Sequence, residues 1–435
     1  MSSPITAGTP ETSRTTTIIS ILISVFLLGS GSALQGTALV LRGSLEGFSD
    51  PVIGLISSSY YAGVLGGSFI ALLVIRNVGY VRSFAAFASL GSASAIAHVL
   101  WINPVVWVVL RLIHGVSFSV VLVVVESWLN VVSPSAKRGQ VISIYSIVYL
   151  ASIGVVQPLI GIFPPSGFEL FGITSILVSL CLLPITLANV SGVATVASVR
   201  IRMMGMFRKS PLGTAGVLAS GLVAGAHLSL APRFAQNLGL PDGSIGLFML
   251  VFSVGTVVMQ WPLGIVSDAV GRRQGLVLSA STGTLAALLL SFAGGAGPWM
   301  TVTAFLFGGF AMPLYSLSIA TVNDQLLPED MVQSAGALYV FYGLGSMIGP
   351  LLAAAAMSSW GVRALYWVIA ATMATYLGFV LLRISVTPEF KVRGETEAYH
   401  SYPRTTFMAT NMLQRFVPRP GKSRKVTPSS PPPGL

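Results

Sequence analysis

From Pro51 to Ile75 the chain reads PVIGLISSSYYAGVLGGSFIALLVI, 25 residues without a charged side chain. At about 1.5 Å per residue a helix of that length reaches roughly 37 Å, more than the ~30 Å of a bilayer's hydrocarbon layer. In lipid the backbone has no water to bond, so a spanning segment satisfies its own amides as a helix. The pattern recurs on both sides of this stretch. The expected spans are Thr16–Leu41, Pro51–Ile75, Ser83–Trp101, Val105–Leu129, Gln140–Ile162 and Phe168–Val190 in the first half. Gly213–Ala231, Ser244–Val266, Gln274–Ala293, Trp299–Val322, Val332–Met357 and Val362–Leu382 follow in the second. The reading is an all-α polytopic membrane protein of twelve transmembrane helices. Composition agrees. Charged residues are 9% of the chain and hydrophobic residues 53%, against about 25% charged in a soluble domain. The first run is too long for the apolar core of a signal peptide. The single cysteine, Cys181, lies within an apolar run, which excludes a disulfide framework and a cysteine metal site.

The net charge of +11 falls in short clusters between the spans, a topology signal rather than a nucleic-acid footprint. With the N-terminus inside, eleven Lys and Arg from Arg14 to Arg273 face the cytoplasm, and the tail from Arg383 to Lys425 adds nine. Only Arg42, Arg233 and Arg363 fall outside, and Arg111 lies within a span. This bias places both termini in the cytoplasm and favours an even number of spans. Trp101, Trp107, Trp299 and Trp360 fall near the outer boundaries, as an aromatic belt would. The expected organisation is a cytoplasmic N-terminal tail over 1–15, a six-helix bundle over 16–190 and a cytoplasmic linker over 191–212. A second six-helix bundle over 213–384 and a disordered basic tail over 385–435 complete it. The linker carries Arg200, Arg202, Arg208 and Lys209 among apolar residues and reads either as a plain basic connection or as an amphipathic helix on the inner leaflet.

The halves echo each other. Gly79 after the second span and Gly271 after the eighth are 192 positions apart, as are Pro158 in the fifth and Pro350 in the eleventh. A shared offset means a duplicated six-helix unit, and in such transporters the substrate site lies between the repeats near the midplane.

The stretch from Gly264 through Asp268 and Gly271 to Arg272 and Arg273 reads GIVSDAVGRR. It resembles the G-x-x-x-D-x-x-G-R-[KR] motif of the major facilitator superfamily, in the loop where that motif belongs. More narrowly, Ile56–Tyr61, Gly79–Arg82, Val123–Ser127 and Gln260–Gly264 resemble the YcaD-like branch of that superfamily, whose substrates are not established. The resemblance implies the major facilitator fold and a gating role for Gly264, Asp268, Gly271, Arg272 and Arg273. In the first repeat Leu72 and Arg76 stand where the motif has glycine and aspartate, so the loop before Gly79 has no carboxylate latch. Arg76 reads either as a topology charge or as a partner for Glu329 or Asp330. Gly154–Gly161 and Gly345–Pro350 resemble the proline motif of facilitator exporters, with Gln157 replacing the glycine before Pro158. The physical alternative is a pair of proline-kinked helices packed through small residues.

Ionisable groups within spans are costly and are functional candidates by default. Arg111 and His114 lie about 9 and 14 Å into the fourth span and share a face. The resemblance places that span on the central cavity with the first, seventh and tenth. Arg111 reads either as a cavity or coupling residue or as a snorkelling or structural one, with Gln35, first-span carbonyls or an anionic group on the substrate as partners. His114 and His227 are candidates for proton handling or for buried packing, Glu126 at the inner edge for a gate or proton relay, and Gln35, Tyr60 and Tyr61 for substrate hydrogen bonds, with packing as the alternative for the tyrosines. His98 reads as interfacial, near the lipid-facing outer end of the third span. No carboxylate lies at mid-membrane, which disfavours cationic cargo and leaves neutral, amphipathic or anionic solutes. No G-x-x-x-x-G-K-[ST] stretch occurs, so ATP is not used by that route. No metal ligand cluster or nucleophile triad is visible, and no cofactor is expected. The expectation is a monomeric, non-enzymatic secondary transporter of a small solute in the inner membrane, coupled to protons. Its rivals are a transporter-derived sensor and a lipid or amphiphile flippase.

Overall fold

The computed structural model describes residues 11–134, 137–187, 203–326 and 328–386. Among them are twelve helices long and apolar enough to cross a membrane. Six precede the linker: Thr15–Leu45, Asp50–Val78, Tyr80–Leu100, Pro104–Val132, Gly139–Ile162 and Glu169–Leu187. Six follow it: Pro211–Asn237, Asp242–Val270, Arg272–Ser291, Pro298–Asn323, Ser334–Trp360 and Ala364–Val386. The first is the first span, and so on to the twelfth. Residues 1–10 and 387–435 of the tails and 188–202 around the linker lie outside the described residues, as do the side chains of Glu329 and Asp330 expected to meet Arg76. A short helix, Met203–Lys209, leads into the seventh span.

Local chemistry sets the ends. Pro51 and Pro104 occupy the first turns of their helices, where the missing N–H costs nothing. The Asn103 side chain caps the fourth span by accepting from Val105 N at 2.9 Å. The second and eighth spans end at Gly79 and Gly271, at φ 85° and 99°, values an L side chain resists. Each glycine N–H donates to the carbonyl four residues back, Ile75 and Ser267, and the next helix starts at once. Pro158 does interrupt the fifth span, which breaks after Val155 and resumes at Leu159. Pro350 leaves its helix unbroken. The tenth span has an unforeseen break around Pro313.

The 192-residue offset extends into the packing. The second span meets the fourth, and the eighth meets the tenth, through glycines that bring backbone against backbone. A methyl group on Gly63 would overlap the Leu112 carbonyl, and one on Gly255 the Phe305 carbonyl. In return, one on Gly115 would strike the Tyr60 carbonyl and one on Gly308 the Phe252 carbonyl. Tyr60 and Phe252 are again 192 positions apart. Close approach at small residues is how membrane helices gain packing without a hydrophobic driving force. Three of the expected interfacial tryptophans, Trp101, Trp299 and Trp360, are exposed, whereas Trp107 is buried.

Contacts between the halves run through the second span against the eleventh, the fifth against the eighth and the first against the seventh. They close the molecule at two levels. Towards the end opposite the Gly79 and Gly271 turns, Ser58 Oγ donates to the Met347 carbonyl at 2.6 Å. Towards that same end, a methyl group on Gly161 would overlap the backbone of Gly243. Towards the turn end, Ser68 Oγ lies 2.9 Å from the Tyr339 hydroxyl. Ile142 of the fifth span packs there with Val217, Tyr315, Ile319 and Leu338.

Candidate functional site

Between those two closures lies a cavity of about 140 Å³. Ser32, Gly36, Ser57, Tyr60, Tyr61, Arg111, Tyr149 and Gln157 line it from one half. Leu228, Ser229, Met249, Tyr339, Tyr342 and Ser346 line it from the other. The first, second, fourth, fifth, seventh, eighth and eleventh spans contribute. The tenth, expected at the cavity, supplies no lining residue because its glycine seam turns it onto the eighth.

Arg111 is the charged residue of the lining. Seven residues into its helix, it is held with 5% of its surface exposed. Its guanidinium carbon sits 4.3 Å from the centroid of the Tyr60 ring, a cation–π arrangement. The Tyr60 hydroxyl is fixed by Ser32 at 3.0 Å. Nε and Nη1 of Arg111 are buried without a hydrogen-bond partner. Beyond it lies a void of about 10 Å³ bounded by Gly43, Ile53 and Trp107, so Arg111 forms the cavity's wall towards the far end.

The other polar candidates stand behind this wall. The Gln35 amide is not Arg111's partner. Its nitrogen stands 3.4 Å from His98 Nδ1. His98, expected at the lipid interface, is fully buried instead. Its Nδ1 lies 2.6 Å from the Ser94 carbonyl, and Trp107 Nε1 donates to the His98 carbonyl. Hydropathy placed His98 at a span end, but the fourth span packs over it there. His114 Nδ1 lies 3.2 Å from both the Gly91 carbonyl and Ser94 Oγ. His227 sits in an aromatic cage, with ring centroids 3.9 Å from Phe252 and 4.9 Å from Phe307, and 3.3 Å from the Tyr366 hydroxyl. None of Gln35, His98, His114 and His227 lines the cavity. Glu126 is fully buried and accepts a 2.5 Å hydrogen bond from Tyr145, again away from the lining.

At the turn end, Asp268 pairs with Arg272, and Arg272 Nε reaches Asp324 at 2.9 Å. The arginine thereby ties the turn after the eighth span to the end of the tenth. Burial raises the Asp324 carboxyl above the ordinary carboxylate range, against the pull of Arg272. Arg273 is half-buried beside this pair, Gly264 is buried, and Arg76 is exposed on the corresponding turn of the first half. At the far end, Arg233 Nε reaches Asp50 at 2.9 Å and its Nη1 bonds Ser44. That pair joins the seventh span to the second, and hence the two halves.

The Major Facilitator Superfamily family model matches residues 213–425. The second half of the chain thus resembles the major facilitator superfamily by sequence. It is 28% identical over 377 residues to the uncharacterized MFS-type transporter YcaD of Escherichia coli, covering 86% of this chain and 97% of the relative. An uncharacterized MFS-type transporter of Enterobacter sp. (strain 638) is 26% identical over 373 residues, covering 85% and 97%. Among solved structures, the nucleoside transporter NupG matches with a TM-score of 0.67 at 12% identity, covering 85% of this chain and 98% of that one. The human organic anion transporter MFSD10 matches with a TM-score of 0.59 at 13% identity, covering 86% and 100%. The family match and the relatives support a multi-pass membrane protein that transports solutes.

The structure brings Arg111 and Tyr60 together at the cavity and gathers Asp268, Gly271 and Arg272 at one turn. Asp324, Asp50 and Arg233 went unrecognised as ion-pair partners. An acid directly after a span end, opposite a basic turn, was the signal available for Asp324.

Proposed function

We propose that this protein moves a small solute through the central cavity by alternating access. The observation that supports the reading is a cavity lined by both halves and sealed above and below by contacts between them. Relieving one seal and keeping the other exposes the same residues to one side of the membrane at a time. The Lys and Arg bias supports a bacterial inner-membrane location with both termini and the linker in the cytoplasm. Residues 16–190 and 213–384 are the two bundles that rock, and the protein acts as a monomer without a cofactor. Gly264, Asp268, Gly271, Arg272 and Arg273, with Arg76 and Gly79 on the first repeat, form the inner gate. Pro158 and Pro350 shape the helices that line the passage. For proton coupling the candidate with a built environment is Glu126 on Tyr145, which lies within electrostatic reach of Tyr339 at the inner closure. His114 and His227 fit packing roles better.

The test is solute flux in proteoliposomes with and without an imposed pH gradient. Uptake of a panel compound that collapses in Arg111→Gln supports the reading, and pH-driven uptake lost in Glu126→Gln supports the coupling. A second reading, an amphiphile flippase, draws on an apolar groove of about 850 Å³ between the seventh, eleventh and twelfth spans, from Phe207 to Trp360. Scrambling of a fluorescent lipid by the reconstituted protein decides for it.

A further inference from the structure

We infer that the cavity's cargo is a small organic monoanion, about one six-membered ring in size, bound with its carboxylate on Arg111 and its apolar body towards Met249 and Leu228. This rests on the transport reading above and names the class of solute.

Charge is the first ground. The cavity lining holds one guanidinium and no Asp, Glu, His or Lys. Arg111 takes part in no ion pair among the described residues, and two of its three nitrogens lack any acceptor. Glu126, the carboxylate on the same helix, is fifteen residues on, roughly 22 Å away along the axis. A buried charge without a counter-ion is strongly unfavourable, and an oxyanion relieves it. A second negative charge would in turn lack a partner, so a monoanion fits and a dianion does not. Cations meet repulsion and no acceptor of opposite sign.

Geometry is the second ground. The Tyr60 ring covers the guanidinium's face, which leaves its edge for the ligand. That edge presents parallel N–H groups matched to a carboxylate's two oxygens. Ser32 already holds the Tyr60 hydroxyl, so the ring stays in place when the ligand arrives.

Size and polarity are the third. An apolar cavity of about 150 Å³ accepts a benzene molecule, and this cavity is about 140 Å³. Its two sides differ. The charge, Arg111, belongs to the first half, whereas the second offers Met249 and Leu228 beside the hydroxyls of Ser229, Tyr339, Tyr342 and Ser346. A molecule with a carboxylate at one end and a ring or short chain at the other matches both walls.

The test uses the purified full-length protein and four probes: benzoate, benzamide, benzylamine and phthalate, followed by calorimetry and thermal melting. Benzoate should bind saturably and raise the melting temperature, with the other three at least tenfold weaker. Arg111→Lys should weaken benzoate at least tenfold, and Arg111→Gln should abolish its binding. Met249→Trp, which fills the opposite wall and leaves the guanidinium alone, should also block it, and this variant serves if the arginine variants misfold. Benzamide binding equal to benzoate, benzoate binding unchanged in Arg111→Gln, or no saturable benzoate binding each overturns the assignment. A cysteine at Ser57 separates this outcome from failure of the transport reading. Labelling from both faces without a benzoate preference removes the anion class alone, and labelling from one face only removes alternating access.

Discussion

Replacing Asp50 by Asn should open the far end of the cavity. Asp50 and Arg233 meet at 2.9 Å with 15% and 17% of their side chains exposed, so the pair is neither fully solvated nor dry. Two unit charges about 4 Å apart at the effective dielectric of such a site attract by about 4 kcal/mol, and desolvation takes back much of it. A charge-assisted hydrogen bond is roughly twice as strong as a neutral one, and asparagine keeps a neutral acceptor. The expected net loss is about 1–2 kcal/mol, or roughly a 5–30-fold change in population. The assay is a cysteine at Ser57, labelled by an impermeant maleimide applied to the far face. The native Cys181 is buried, so background is low. Asp50→Asn should raise the labelling rate by that factor, and the exchange Asp50→Arg with Arg233→Asp should restore it. Arg42→Gln is the control, because Arg42 bonds Glu46 and the Ser166 carbonyl within its own half. An unchanged rate in Asp50→Asn, or an equal rise in the control, refutes the latch.

At the turn end, Asp268→Asn and Asp324→Asn should each leave the protein inserted and alter exchange between inward and outward states. Because Arg272 contacts both acids, the double variant should show non-additive flux, and strict additivity refutes a shared arginine. Gly115→Val drives a side chain into the Tyr60 carbonyl and should cost about 1–3 kcal/mol or more, with Gly308→Val matching it in the second half. Gly66→Ala, which faces open space, should leave the melting temperature unchanged or raised. For topology, a cysteine in place of exposed Arg208 should label from the cytoplasmic side only. Ser210 is buried and unsuited to the purpose, and labelling of the Arg208 site from outside intact cells inverts the proposed orientation.

The sequence carried what is local and periodic. Hydropathy over 20-odd residues marks a span because the bilayer imposes one length. Gly79 and Gly271 marked turns because few other residues hold a φ of 85° or 99°. Pairings between distant elements were not visible. Arg233 and Asp50 are separated by 183 residues, and in the sequence each is only a charge near a span end. His98 failed for a related reason, since burial depends on which helix covers a span end, and Trp107 covers this one. The break at Pro313 escaped notice because proline does not break every span. Pro232, Pro262 and Pro350 all sit inside continuous helices.

The two halves agree and differ in separate places, and the division follows the physics of the fold. Positions that repeat at the 192–193 offset are those where backbone geometry leaves no choice. Gly63 with Gly255 and Gly115 with Gly308 occupy seams too tight for a Cβ, and Gly79 with Gly271 occupy positive-φ turns. Positions that diverge lie at or behind the cavity wall of the first half and in the aromatic cage of the second. Gln35 answers to His227, Tyr60 to Phe252, and His114 to Phe307. The first half thus assembles a polar layer behind Arg111, and the second an aromatic cage that shields His227 from the cavity. A duplicated unit can change freely only where side chains, not backbones, meet. The asymmetry therefore falls on the residues that face a solute or support those that do. It places the cavity's charge on the first half alone, and a passenger whose carboxylate stays on Arg111 keeps one orientation in both access states.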